Sequence, residues 1–256
     1  GNVLSLLDKN LHSLNFLKKA LNISPNNSEI LANIAICYCR KRDIKMAKTY
    51  FEKVMKINPD DNKLKYAYST LNLNLNQFYE GWKYFDSRLL IEKNKKKLVN
   101  FNSVKNNLFK DKEIDYSKKT LILREQGIGE EILFSSIYPN IIENFKYVRI
   151  ESDKRLVNIF NKSFKRNIFY EEGYYSNSNK INKFESVVYA GSLLKLYKNS
   201  VKDFKNTKYL LTEKHIVDEI KKDLSKFQKK IKIGISWKSK VSVYGNLKSL
   251  SIKDFE

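Results

Sequence analysis

TLILREQGIGEEI, residues Thr120 to Ile132, decides the fold of this 256-residue chain. An apolar run typical of a buried strand ends in a glycine turn, and two carboxylates follow where a helix begins. Parallel α/β domains place their chemistry at such a turn, beyond the carboxyl end of a strand. The stretch therefore predicts an α/β domain with a sharp strand-to-helix turn at Gln126, Gly127 and Gly129, where such domains place their chemistry.

The sequence before this turn contains an internal repeat whose length is typical of paired helices. Pro25 and Pro59 lie 34 residues apart, at the same place in the similar phrases ALNISPNNSEI and VMKINPDDNKL. Ala35 and Ala47 are small where two antiparallel helices must approach closely. This phasing resembles the tetratricopeptide repeat, whose helix pairs stack into a solenoid with a concave groove for a partner. We expect about two and a half such repeats over residues 1–90.

A cluster of aromatic residues stands at the end of the repeats and has two interpretations. It is either the lining of a peptide-binding groove or the packing between the last repeat and the domain that follows. Its members are Phe78, Tyr79, Trp82, Tyr84 and Phe85.

Beyond residue 118, apolar strand-like runs alternate with helical patterns. Alternation of this kind predicts a parallel sheet covered by helices, so the fold class is α + α/β, with helical repeats followed by a Rossmann-like layer. The runs are TLILRE, YVRIES, NIFYE, ESVVYA and IKIGISW.

The net charge of +21 invites a nucleic-acid interpretation, which the residue types disfavour. Seven of the 49 basic residues are Arg, whereas forked recognition of phosphate or guanine favours Arg over Lys. The lysine runs are better explained as solvated surfaces or linkers, and binding to nucleic acid is not expected.

Several other site classes and locations are disfavoured. A dinucleotide fingerprint needs a third glycine where Ile132 stands, so no nicotinamide or flavin cofactor is expected. His12 and His215 have no ligand partners at metal spacing, and no metal is expected. Cys37 and Cys39 are interpreted as small packing residues.

The sequence shows neither a membrane-spanning run nor a signal peptide, which predicts a cytoplasmic protein.

Three phrases carry a resemblance to a known family: GWKYFDSRLL, REQGIGEEILFSSIYPNI and IGISWKSKVSVYGNLKSLSIKDF. They resemble the glycosyltransferase-type domain that follows tetratricopeptide repeats in many bacterial proteins. That family is similar to heptosyltransferases and, more distantly, to O-linked N-acetylglucosamine transferases. The resemblance implies a GT-B fold of two Rossmann-like domains, with a nucleotide sugar as substrate and no metal.

The resemblance also implies a domain order. The repeats over 1–90 would be followed by a basic connector over 91–118 and an acceptor-side Rossmann-like domain over 119–230. Residues 231–256 would begin a second, donor-binding domain. We expect the chain to be a fragment that lacks most of this donor half and that cannot turn over a sugar nucleotide alone.

Glu130 is the candidate catalytic residue. It follows the second glycine of the turn, where the family usually has Asp, the proposed general base of the similar heptosyltransferases. Inverting sugar transfer needs a carboxylate beside the attacking hydroxyl to accept its proton. Alternatively, Glu130 and Glu131 only favour the start of a helix. Gln126, Gly127 and Gly129 either approach an acceptor or only make the turn.

Lys248 and Ser249 are the candidates for the donor diphosphate. They stand where the family often has an Arg-Ser pair, and a cation with a hydroxyl suits a diphosphate. Alternatively, Lys248 is a surface lysine, and Ser249 or Ser251 caps a helix that starts at Ile252.

Two functions remain open on the sequence. The first is part of an inverting, metal-independent glycosyltransferase whose repeats hold a protein or saccharide acceptor. The second is a non-catalytic interaction protein whose repeats bind a partner and whose α/β domain is degenerate.

Overall fold

The fold was analysed in a computed structural model, which describes residues 10–91, 114–177, 179–205 and 208–227, together with residues 231, 249 and 251. Its contacts divide the chain into two compact units, residues 1–211 and residues 212–256. The repeats and the sheet thus belong to the first unit. The domain boundaries expected from the sequence stay predictions.

The first part of the chain is a series of antiparallel helices, as the 34-residue period predicts. Each of the middle three helices begins at an Asn or Asp whose side chain accepts hydrogen bonds from the first backbone N–H groups, which marks where each helix starts. The helices are α1 (Asn10–Ile23), α2 (Ser28–Arg40), α3 (Ile44–Ile57), α4 (Asn62–Asn74) and α5 (Phe78–Phe85), followed by a 3₁₀ helix (Asp86–Leu90).

The small residues of the repeat lie where the sequence places them. Ala35 and Ala47 are fully buried between α2 and α3, and Phe51 and Leu17 join them in one apolar core. Cys37 is buried in the same core, with its Sγ 3.4 Å from the hydroxyl oxygen of Ser13. Stacking of neighbouring helices thus buries the apolar stripe that no single pair buries alone.

The second part is a four-stranded parallel sheet with strand order β3-β2-β1-β4. All four strands fall on runs that the sequence predicts, and the fifth run, IKIGISW, lies outside the described residues apart from Ile231. The strands are β1 (Lys119–Leu123), β2 (Tyr147–Ser152), β3 (Phe169–Glu171) and β4 (Ser186–Tyr189).

Helices lie in the connections between the strands and after β4. The α-helices are α6 (Ile128–Phe134), α7 (Tyr138–Asn144), α8 (Lys154–Phe164) and α9 (Leu194–Tyr197). Short 3₁₀ helices lie at Ser135–Ile137, Asn179–Lys183, Ala190–Leu193 and Val201–Asp203. The second unit contains α10 (Lys214–Ser225). The described residues include no helix with the length and apolar character needed to cross a bilayer.

The two faces of the sheet bury different neighbours because strand side chains alternate. Ile122 and Ile150 pack with the helices α6, α7 and α8, and an aromatic group around Tyr138 and Phe160 fills that core. On the opposite face, Leu121 and Leu123 pack against Leu89, which belongs to the 3₁₀ helix that leaves the repeats.

The aromatic cluster at the end of the repeats is mainly packing. The ring of Phe78 lies 5.2 Å from that of Phe204, and Trp82 packs against the helix-side core of the sheet. The indole N–H of Trp82 also donates to the carbonyl oxygen of Lys198. Tyr79 is the exception, with 81% of its surface exposed. The last repeat and the sheet are therefore joined by a packed interface.

Candidate functional site at the carboxyl edge of the sheet

Polar and charged residues follow the carboxyl ends of the four parallel strands. Because parallel strands end at one edge, these residues share one border of the sheet. They are Arg124, Glu125 and Gln126 after β1, Asp153 after β2, Glu171 and Glu172 at the end of β3, and Gly191 and Ser192 after β4.

The glycine turn lies at this edge and is open to solvent. Gln126 adopts a left-handed backbone conformation with φ of 62°, a geometry that turns the chain sharply from β1 into α6. Gly127 is the N-cap residue of α6, and Gly129 lies in its first turn with no atom within 4 Å of the place where a Cβ would be. The three turn residues are all exposed. The turn thus presents its backbone to solvent.

The two adjacent carboxylates of the turn have different environments. Glu130 is exposed and, within the described part of the chain, forms no hydrogen bond or ion pair. Its Oε2 folds back towards Gly127 and would lie 2.9 Å from a Cβ added there, so glycine makes room for this side chain.

Glu131 is buried and held by the ends of two strands. It is 1% exposed, and it accepts hydrogen bonds of 2.9 Å from Arg124 Nε and 2.9 Å from the backbone N–H of Asp153. Burial raises the pKa of Glu131, although these partners oppose the rise. Glu131 is therefore a structural tie between β1 and β2, whereas Glu130 is exposed to solvent.

Arg124 joins three carboxylates beside the turn. Besides Glu131, it contacts Glu172 at 2.7 Å and Asp153 at 3.7 Å. These side chains border a cavity of about 500 Å³, lined by Arg124, Asp153, Lys154, Arg155, Glu171 and Glu172. The lining has three basic and three acidic side chains, so neither sign of charge dominates.

A buried ion pair occupies the crevice between β1 and β4. Arg88, from the 3₁₀ helix after the repeats, is 1% exposed and donates from Nε and Nη2 to Glu125 at 2.8 and 2.6 Å. Glu125 also accepts from the backbone N–H of Gly191 at 2.8 Å. The forked geometry of two parallel hydrogen bonds is the strong form of this pair.

Further contacts fix Arg88 from the repeat side. Its Nη1 donates to Asp86 at 2.9 Å, and Ser192 donates to the same Asp86 oxygen at 2.7 Å. Burial acts to raise the pKa of Asp86, but Arg88, Lys195 and the hydrogen bond from Ser192 together lower it. This cluster is called the Arg88 lock below and comprises Asp86, Arg88, Glu125, Gly191 and Ser192.

The position of the Arg88 lock in the topology is important. The strand order β3-β2-β1-β4 reverses direction between β1 and β4, and open α/β sheets usually bind ligands in the crevice at that point. Here the crevice is filled by Arg88. The open part of the edge is therefore the glycine turn and the neighbouring ends of β2 and β3.

Sequence reasoning missed the Arg88 lock, although both parts of it were visible. Arg88 lies inside the phrase GWKYFDSRLL, and Glu125 lies inside REQGIG, 37 residues further along the chain. An Arg directly before two leucines, and a Glu directly after a buried strand, are each residue types that are seldom buried without a partner.

The predicted donor residues both belong to the second unit. Lys248 lies outside the described residues, and Ser249, in the second unit, is half-buried. The side chain of His12 is likewise outside the described part, and His215 lies on α10. The described residues contain no group of three or more His, Cys, Asp or Glu side chains that could hold a metal ion.

Comparison with known proteins supports the repeats directly. Residues 13–71 match the family model of the tetratricopeptide repeat. Protein FlbA of Caulobacter vibrioides is 24% identical over an alignment that covers 93% of this chain. The chain spans 42% of the length of that relative.

Among solved structures, a mutant of the O-GlcNAc transferase of Thermobaculum terrenum is similar at 12% identity. The match covers 59% of this chain and 35% of that chain, with a TM-score of 0.34. A TM-score this low does not establish a common fold.

Proposed function

We propose that this chain is the repeat and acceptor-side part of an inverting glycosyltransferase, in which Glu130 is the general base. One observation carries the proposal: Glu130 is an exposed carboxylate, without an ion pair in the described structure, at a glycine turn on the carboxyl edge of a parallel sheet. That edge is where parallel α/β folds bind ligands. A base must also be able to reach a substrate proton, and the buried Glu131 cannot.

The chemistry assigns each group a defined part. An acceptor hydroxyl attacks the anomeric carbon of a nucleotide sugar, and the bond from that carbon to the diphosphate breaks. Glu130 accepts the hydroxyl proton as the new glycosidic bond forms, and the configuration at the anomeric carbon inverts. Gln126, Gly127 and Gly129 would border the acceptor.

Because Gly127 has no side chain, there is space for Glu at position 130 in place of the shorter Asp that is usual in the family. The side chain of Glu130 is one methylene longer, and its carboxylate folds back into space that a Cβ at position 127 would obstruct. The rate of proton transfer depends on the position of the base. The space left by the missing side chain of Gly127 therefore affects catalysis, because it determines where the Glu130 carboxylate can lie.

The donor would be bound by groups of the second Rossmann-like domain. Lys248 and Ser249 are proposed to contact its diphosphate, and no metal is proposed because cationic and hydroxyl side chains would stabilise the leaving group. No cofactor is proposed, since the nucleotide sugar is a substrate.

The test uses protein expressed from the complete reading frame that contains this chain. Release of nucleoside diphosphate from uridine, guanosine and adenosine diphosphate sugars is measured for wild type, Glu130→Gln and Glu143→Gln. We expect Glu130→Gln to lower the rate by about 10² to 10⁴, the usual contribution of a general base.

Glu143→Gln is the matched control because Glu143 is an exposed glutamate on α7. Its rate is expected to equal that of wild type. Equal rates for Glu130→Gln and wild type would show that Glu130 is not the base.

A second candidate is a non-catalytic interaction protein, and the Arg88 lock favours it specifically. A sheet whose ligand crevice is filled by its own repeats suits a scaffold in which the repeats bind a protein partner. Thermal melting of the complete protein with each nucleoside diphosphate separates the candidates, because a ligand of the native state raises the melting temperature. No shift with any of the three would favour the scaffold.

A further inference from the structure

The cavity beside the glycine turn has the size of a small-molecule site, and every residue that lines it is charged. Its volume of about 500 Å³ lies within the usual range of ligand pockets. It lies at the ends of the parallel strands, the edge where α/β sheets bind ligands. The six lining residues are Arg124, Asp153, Lys154, Arg155, Glu171 and Glu172, and none of them takes part in the proposed sugar transfer.

Four of these six side chains are engaged in ion pairs. Arg124 contacts Glu172 at 2.7 Å and the buried Glu131 at 2.9 Å. Arg155 contacts Asp153 at 2.8 Å. These contacts order the four groups and largely neutralise their charges, so they form a polar wall without a strong preference for either sign of charge.

The other two side chains carry opposite charges and are not paired. Lys154 is the first residue of α8, and Glu171 is the last residue of β3. Within the described residues, neither side chain forms a hydrogen bond or an ion pair. Both are exposed, so water solvates them in the free protein. The cavity provides the space for a ligand, and these two charges determine which charges the ligand carries.

We propose that this cavity binds a free amino acid, with the carboxylate of the ligand beside Lys154 and its ammonium group beside Glu171. The dipole of α8 adds to the first contact, because Lys154 lies at its N-terminal end. A ligand with a single charge would displace water from both groups and pair with one of them, which is unfavourable. A zwitterion replaces the water at both groups.

The polar wall favours a polar side chain on the amino acid. The guanidinium groups of Arg124 and Arg155 donate hydrogen bonds, and the carboxylates of Asp153 and Glu172 accept them, so an amide or a hydroxyl finds both kinds of partner. An apolar side chain would displace water from these groups without replacing its hydrogen bonds. L-Glutamine and L-serine should therefore bind more tightly than L-leucine.

The test is ligand titration of protein expressed from the complete reading frame that contains this chain, monitored by saturation-transfer NMR of the ligand. The probes are L-glutamine, L-serine and L-leucine. Each is compared with its N-acetyl derivative, which lacks the ammonium group, and with its amide, which lacks the carboxylate. We expect saturable binding of at least one of the three amino acids, and about three- to tenfold weaker binding of both blocked forms, as the loss of one charged contact implies.

Two variants separate the two contacts. Lys154→Met should weaken binding of the free amino acid and remove its advantage over the amide, but keep its advantage over the N-acetyl form. Glu171→Gln should do the converse. Since each variant keeps one of the two preferences, the preference that remains shows that the cavity is still folded.

The matched controls are Lys45→Met and Glu143→Gln, which remove exposed charges outside the lining. Both should bind the amino acid as tightly as wild type and keep both preferences.

Three results would overturn the inference: none of the three amino acids binds saturably, a blocked form binds as tightly as the free amino acid, or Lys154→Met and Glu171→Gln bind as wild type does. The inference goes beyond the proposed transferase and does not depend on it. No sugar nucleotide is present in this test, so its failure leaves the Glu130→Gln test standing. A complete protein that transfers no sugar would likewise leave the amino-acid site standing.

Discussion

The carboxyl edge of the sheet has two neighbouring regions with opposite character. In the crevice between β1 and β4, the Arg88 lock buries charges and joins the repeats to the sheet. At the glycine turn, which begins one residue after Glu125, the chain is exposed and Glu130 has no ion pair within the described residues.

The difference shows that one edge combines a buried contact with the repeats and a solvent-exposed turn. A buried Arg with a forked carboxylate partner is directional, so it fixes the orientation of the repeats relative to β1. The closed region therefore sets the position of the repeats, whereas the open region leaves the turn backbone and Glu130 exposed to solvent.

The largest expected effect comes from breaking the closed region. Arg88→Met should lower the free energy of unfolding by about 3 to 5 kcal/mol, since it leaves Glu125 as a buried charge without its cation. Adding Glu125→Gln should recover part of the loss, because an amide keeps an acceptor for Gly191 N–H without a charge. Urea denaturation gives all three values.

The control for this series is Arg166→Met, which removes an exposed Arg. It should change the free energy of unfolding by no more than about 0.5 kcal/mol. Equal stability of Arg88→Met and Arg166→Met would show that the Arg88 lock does not hold the two parts together.

A smaller change in stability is expected from replacing one glycine in each region by alanine. A Cβ at Gly191 would lie 2.7 Å from Oε1 of Glu125 and 2.9 Å from Nη2 of Arg88, whereas a Cβ at Gly129 would meet nothing within 4 Å. Gly191→Ala should therefore destabilise the protein by about 1 to 3 kcal/mol through overpacking. Gly129→Ala should change stability by less than about 0.5 kcal/mol. Similar melting temperatures for both variants would contradict the tight packing of the crevice.

The repeats and strands could be predicted from the sequence because their signals are local. Pro25 and Pro59 mark the repeat period, and the apolar runs at β1 to β4 coincide with the strands of the sheet. The glycine turn was found for the same reason, since its residues are consecutive.

The Arg88 lock and the separate environments of Glu130 and Glu131 could not be predicted in this way. Arg88 and Glu125 meet only because β1 and the 3₁₀ helix pack together, and no periodicity encodes that contact. Glu131 is buried because Arg124 and the N–H of Asp153 lie over it, which depends on where β2 ends. Side-chain partners across elements are set by tertiary packing.

The smallest expected effect is on pH dependence, and it too separates the two regions. In the Arg88 lock, Asp86 has a pKa below its ordinary value, because Arg88, Lys195 and Ser192 outweigh the effect of its burial. Its contribution to stability is thus present above the unfolded pKa and is lost as the pH falls through the folded pKa. Glu131, beneath the turn, has a pKa raised by burial, so its contribution is present at low pH and is lost as the pH rises.

Asp86→Asn and Glu131→Gln should therefore have opposite pH profiles. The stability that wild type holds over Asp86→Asn should grow from about pH 3 to pH 7, whereas its stability over Glu131→Gln should shrink across the same range. Urea denaturation at intervals of pH measures both differences. Parallel profiles would mean that Asp86 and Glu131 have the same kind of environment. The contrast between Asp86, whose pKa is lowered by neighbouring cations, and Glu131, whose pKa is raised by burial, would then be wrong.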